Sequence, residues 1–128
     1  LLFGHAQDAM IAADVVLVAS GTATLECALL KRPMVITYRM PALSWWMIKR
    51  KRYQPYFGLP NILSERFVVP ELIQEDATPE NLAQALLNLV NDKDAVIQLE
   101  ETFRKLHQTL RQNTAQKAAA AILQHLPA

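Results

Sequence analysis

A single cysteine, Cys27, leaves no partner for an internal disulfide and fits a reducing compartment. No apolar run in the sequence approaches the ~20 residues that a membrane-spanning helix needs. Neither a Walker loop nor the three-glycine dinucleotide fingerprint occurs, which excludes the two best-known phosphate-loop signatures. A dominant charge sign is also missing. The formal net charge of +1 gives no overall pull toward nucleic acid or acidic lipid, so any such attraction must be local. Internal repeats and low-complexity segments are absent as well. What is present is a globular balance, 52% hydrophobic and 20% charged over 128 residues, enough for one domain with a real core and too little for two. The opening Leu1-Leu2-Phe3, without methionine or polar leader, reads as the tail of an element in a longer polypeptide.

Hydrophobic spacing sets the order of elements. His5 to Ala13 has helical composition, and Val15 to Ala19 is a short valine-rich run of the kind expected for a strand buried on both faces of a parallel sheet. Ala23 to Leu30 reads as a helix ended by Pro33, and Met34 to Tyr38 as a second buried strand. Helix, strand, helix and strand within some 35 residues predict an α/β fold with a Rossmann-like parallel sheet and flanking helices. Between Arg39 and Pro70, where four of the seven prolines fall, a helix-like piece runs from Ala42 to about Arg52. Thr78-Pro79-Glu80 is a helix start whose buried stripe would be Leu82, Leu86, Leu89 and Val90. A helical tail over residues 93–126 follows. Leu99, Phe103, Leu106 and Leu110 line one face of its first helix, with Glu100–Arg104 and Glu101–Lys105 pairs outside; Asn113 and Gln116 would cap the last.

Chemistry concentrates between Val15 and Glu26. Ligands of parallel sheets sit at the carboxyl ends of strands, where unpaired amides at helix N-termini attract phosphate. Ser20-Gly21-Thr22 lies at such a junction, and Gly21 lets the backbone approach an anion closely. Glu26 shares a helix face with Thr22 one turn deeper, roughly 5–6 Å along the axis. From there a carboxylate can accept hydrogen bonds from a ribose diol without opposing a diphosphate at the tip. The alternative for the same residues is a tight turn with an N-cap, followed by a solvated glutamate.

Gly4-His5-Ala6, Ala12-Ala13-Asp14, Ala19 to Glu26, Pro33-Met34-Val35, Tyr38-Arg39-Met40 and Leu59-Pro60-Asn61, in that order, closely resemble the C-terminal region of the lipid-A-disaccharide synthases. The resemblance runs from Leu1 to about Leu126. It implies the C-terminal, donor-binding half of a GT-B fold, two Rossmann-like domains facing across a cleft, with residues 1–128 forming the nucleotide-sugar-binding domain and the N-terminal acceptor domain lying elsewhere. The implied reaction transfers 2,3-diacylglucosamine from UDP-2,3-diacylglucosamine to 2,3-diacylglucosamine 1-phosphate at the cytoplasmic face of the inner membrane. By position, Ser20, Gly21 and Thr22, with Ala23 following, would hold the UDP diphosphate, Glu26 the ribose and Asn61 the donor-sugar region. Tyr38 and Arg39 stand at the end of the second strand; Arg39 is either a contact for the diphosphate or a lipid phosphate, or else a solvated loop cation or a structural ion pair. The resemblance puts the general base in the other domain, so no residue here is expected to be catalytic in the strict sense. No metal and no cofactor are expected: His5, His107 and His125 are scattered, and no Asp-x-Asp pair is expected to hold a metal under the diphosphate. Other UDP-sugar enzymes of the same fold (a peptidoglycan N-acetylglucosaminyltransferase or an epimerase) and a non-catalytic nucleotide-binding domain are the alternatives; Tyr38-Arg39-Met40 and Leu59-Pro60-Asn61 speak against the first of these.

Leu43 to Tyr53 sets apolar bulk, including Trp45 and Trp46, against the cations Lys49, Arg50, Lys51 and Arg52. It would touch acyl chains or the anionic inner-membrane surface, or else pack as a helix with a solvated basic end or against the other domain. Nucleic acid is not an expected partner, because the run is isolated. A homodimer, formed by exchange of the C-terminal helices, is a further expectation from their apolar stripes.

Overall fold

A computed structural model describes residues 3–19, 21–51 and 53–125. Three parallel strands, β1 (Val16–Ala19), β2 (Met34–Tyr38) and β3 (Glu71–Ile73), form one open sheet in the order β1-β2-β3. Around them lie α1 (Ala6–Ala12), α2 (Thr22–Leu29), α3 (Ala42–Lys51), α4 (Leu59–Ser64), α5 (Pro79–Asn91), α6 (Lys93–Leu110) and α7 (Thr114–Leu123). The α/β class and parallel pairing follow the sequence reading, and the helical tail ends the chain as expected.

The core is the meeting of α2, β2 and α6. Leu99, Phe103 and Leu106, at i, i+4 and i+7 of α6, cluster with Cys27 and Ala28 of α2, Met34 and Ile36 of β2, and Met10, Val18 and Val69. Burial pushes the Cys27 thiol up to about 11 against the opposing influence of Arg32, so it stays protonated at neutral pH. Lys31, in the left-handed region at φ 60°, donates to the Leu29 carbonyl at the C-terminal end of α2 and lies 2.6 Å from His107 Nδ1 of α6. Glu100–Arg104 (3.7 Å) and Glu101–Lys105 (3.0 Å) pair along the outside of α6.

Four expectations change. β1 is buried on one face only: Val18 is covered, whereas Leu17 on the other face is 46% exposed. The α5 stripe is half-covered rather than buried, with Val90 exposed; α5 packs mainly against β2 and α6. Its start is as expected, Thr78 Oγ1 accepting from the Asn81 amide at 3.2 Å. Asn113 does precede α7, but its side chain bonds Gln116 Oε1 instead of capping the backbone. Finally, α4 and β3 were not foreseen at all. The apolar residues Ile122 and Leu123 of α7 are exposed, and Leu1, Arg52 and Leu126, named in the sequence reading, lie outside the described residues.

Candidate functional site at the carboxyl edge of the sheet

All three strands run the same way, so Ala19, Tyr38 and Ile73 end on one edge. The register pairs Ala19 with Thr37 and Tyr38 with Ile73, so Arg39 leaves the sheet one residue past the end of β2, on the edge where Gly21 stands. Gly21 stands at φ 129° and ψ −161°, a backbone region essentially reserved for glycine. It is the N-cap of α2 and, as a glycine, offers no side chain to cap that end. The chain turns this way because Thr24, buried one turn in, donates its hydroxyl to the Gly21 carbonyl at 2.7 Å. The same hydroxyl accepts from the Leu59 amide at 3.2 Å. One buried threonine thereby ties the bend to the Leu-Pro-Asn segment some 35 residues away.

That segment is itself over-determined. Asn61 Oδ1 accepts from the Val68 and Val69 amides (2.7 and 3.0 Å), while Nδ2 donates to the Val69 carbonyl and the Glu71 carboxylate (2.9 and 2.8 Å). Glu71 also accepts from the Phe57 and Gly58 amides at 2.9 and 2.8 Å. Gly58 fits because it has no side chain: a Cβ there would stand 2.2 Å from Ile36 Cδ1. On the far side of the edge, Gln74 (φ 57°) clamps the loop after β2. The Met40 amide donates to its Oε1 at 2.6 Å, and its Nε2 donates to the Met40 carbonyl at 3.1 Å. Arg39 is thus carried on a strand end pinned from β3.

Of the residues singled out from sequence, Gly21, Thr22, Glu26, Tyr38 and Arg39 are exposed at or near this edge, and Ala23 is half-buried against the core. Thr22 and Glu26 lie on the solvent face of α2, opposite buried Thr24 and Ala28. Ser20 lies outside the described residues. Asn61 is the exception. It is fully buried, and its two donors and two acceptor lone pairs are all engaged within the chain, which leaves nothing to offer a donor sugar directly. Its place is in the scaffold behind the bend. Thr24, Glu71 and Gln74 were missed from sequence, as nothing local marks a long-range bridge.

An acidic pair does occur as Asp92-Lys93-Asp94, but Asp92 caps α6 through the Ala95 amide (2.9 Å). Lys93 lines a cleft with Val15 and Pro33, at the amino-terminal ends of the strands and away from the bend. Among the described residues no three His, Cys, Asp or Glu side chains group so as to hold a metal ion. No described helix is long and apolar enough to cross a membrane.

An open parallel sheet with a glycine bend entering a helix at its carboxyl edge defines a Rossmann-like α/β domain, a class that holds its ligands at that edge. The family model described as lipid-A-disaccharide synthetase matches residues 1–125, and the chain belongs to that family. It is 63% identical over 126 residues to the lipid-A-disaccharide synthase of Dechloromonas aromatica, covering 98% of this chain and 33% of that protein. The corresponding enzymes of Azoarcus sp. and Methylobacillus flagellatus are 61% and 58% identical, covering 98% and 96% of this chain and 32% of each relative. The chain therefore spans about a third of the length of the curated relatives it matches.

Proposed function

We propose that the chain is the nucleotide-sugar-binding part of a glycosyltransferase of lipid A biosynthesis. The full protein would move 2,3-diacylglucosamine from its UDP conjugate to 2,3-diacylglucosamine 1-phosphate, at the cytoplasmic face of the inner membrane. Family membership supports the reaction class. The observation that carries the site is the exposed Gly21 N-cap with Thr22 and Glu26 on one open face of α2.

In this reading the first amides of α2 and the Ser20 and Thr22 hydroxyls hold the diphosphate, where the helix dipole favours negative charge. Glu26 accepts the ribose hydroxyls. As the glycosidic bond breaks, charge grows on the departing UDP, and these fixed donors, with Arg39 beside them, stabilise it. Asn61 contributes by positioning, holding the Leu59 segment against Thr24. The proton acceptor for the attacking hydroxyl belongs to the other domain.

Calorimetric titration with UDP tests this. The chain is expected to bind UDP weakly, and Glu26→Ala to bind about ten-fold more weakly, the scale of hydrogen bonds to a charged group. Equal affinity of the two would reject the ribose role, and a parent chain that does not bind UDP would reject the nucleotide reading.

A further inference from the structure

The near-zero net charge hides a strong segregation. Residues 27–64 contain seven Lys and Arg and no Asp or Glu, whereas the rest of the chain is acidic. Four of those cations, Lys49 to Arg52, are consecutive in sequence, and Lys49 and Arg50 are exposed in the last turn of α3. On the same helix Leu43, Trp46 and Met47, at i, i+3 and i+4, are 71%, 55% and 48% exposed. Ser44 and Trp45 are half-buried, and Trp45 packs on Phe57 with ring centroids 5.8 Å apart, fastening the helix to the body. The Arg50 guanidinium lies over the Trp46 ring at 4.6 Å, at the end of the apolar stripe, and Tyr53 just beyond is fully exposed.

We propose that the exposed face of α3 lies on an anionic bilayer surface. Leu43, Trp46 and Met47 would enter the boundary between headgroups and acyl chains, with Lys49 and Arg50 among the lipid phosphates. Charge complementarity selects this occupant: protein–protein interface cores are depleted in charge, whereas a tryptophan-bearing stripe beside a basic cluster suits the headgroup layer. Arg39 and Pro41 lead directly from the carboxyl edge of the sheet into α3, so a bilayer-bound α3 would keep that edge close to the lipid surface. The inference deepens the membrane-face placement proposed above, on which it rests, and is independent of the nucleotide reading.

Cosedimentation of the chain with vesicles tests it, comparing phosphatidylcholine alone with phosphatidylcholine mixed with phosphatidylglycerol. Binding should be at least about ten-fold stronger to the anionic vesicles and weaken in high salt. Two variants confined to exposed side chains, Leu43→Ser/Trp46→Ser/Met47→Ser and Lys49→Glu/Arg50→Glu, should each lose about ten-fold while keeping the parent circular dichroism spectrum. Variants that bind as the parent does would overturn the proposal, as would capture of RNA without capture of vesicles. In the longer protein that carries this chain, a Trp46→Cys thiol should label freely without lipid and become protected by anionic vesicles. Protection without lipid would show another part of the protein on this face and contradict the proposal; buried Cys27 stays silent in that assay.

Discussion

Asn61→Ala is expected to cost on the order of 3–5 kcal/mol of folding stability, a large share of what a domain of this size has. Truncation removes four hydrogen bonds at once. It leaves the Val68 and Val69 amides without the acceptor that turns the chain into β3, in a place water does not reach. The loss extends to Glu71, which gives up one of its donors and with it part of its hold on Gly58. Urea unfolding reads the effect as a lowered midpoint. The outcome that would contradict it is an unchanged midpoint with UDP binding lost, which would make Asn61 a ligand contact after all.

Gly21→Val is the converse case, with a large effect on binding and a small one on the fold. Nothing stands within 4 Å of where its Cβ would point, so no neighbour is displaced. The backbone angles are the obstacle. At φ 129° a β-branched residue pays roughly 1–3 kcal/mol to hold this conformation, and it relieves that strain by turning the peptide. Turning redirects the first amides of α2 away from the edge while leaving Thr24 and the α2–α6 packing in place. UDP affinity should fall at least about ten-fold while the unfolding midpoint moves little. Retained affinity in this variant would mean that the bend does not supply the anion's donors.

Much of the sheet was legible because its signals are local. The valine-rich run marked β1 and the Met34–Tyr38 run marked β2 to the residue, since a run of apolar β-formers ended by turn residues needs no distant information. The α6 stripe and its ion pairs followed from helical spacing alone. β3 was invisible: three residues carry no periodicity, and Glu71 disguises a strand whose charged side chain serves as an acceptor for neighbouring amides. The same limit governs the site. Gly21, Thr22 and Glu26 are adjacent in sequence and could be grouped by helix geometry. Thr24 and Gln74 act across 34 or 35 residues, and Asn61 reads as a polar loop residue until its four partners are seen.

The most direct measurement is an amide-resolved NMR titration of the chain with UDP. The largest shifts should fall on the backbone amides of Gly21, Thr22 and Ala23 and extend to Glu26, with smaller ones at Arg39 and Met40. Shifts centred instead on the cleft around Val90 and Lys93, or none at saturating nucleotide, would place the ligand elsewhere and contradict the assignment.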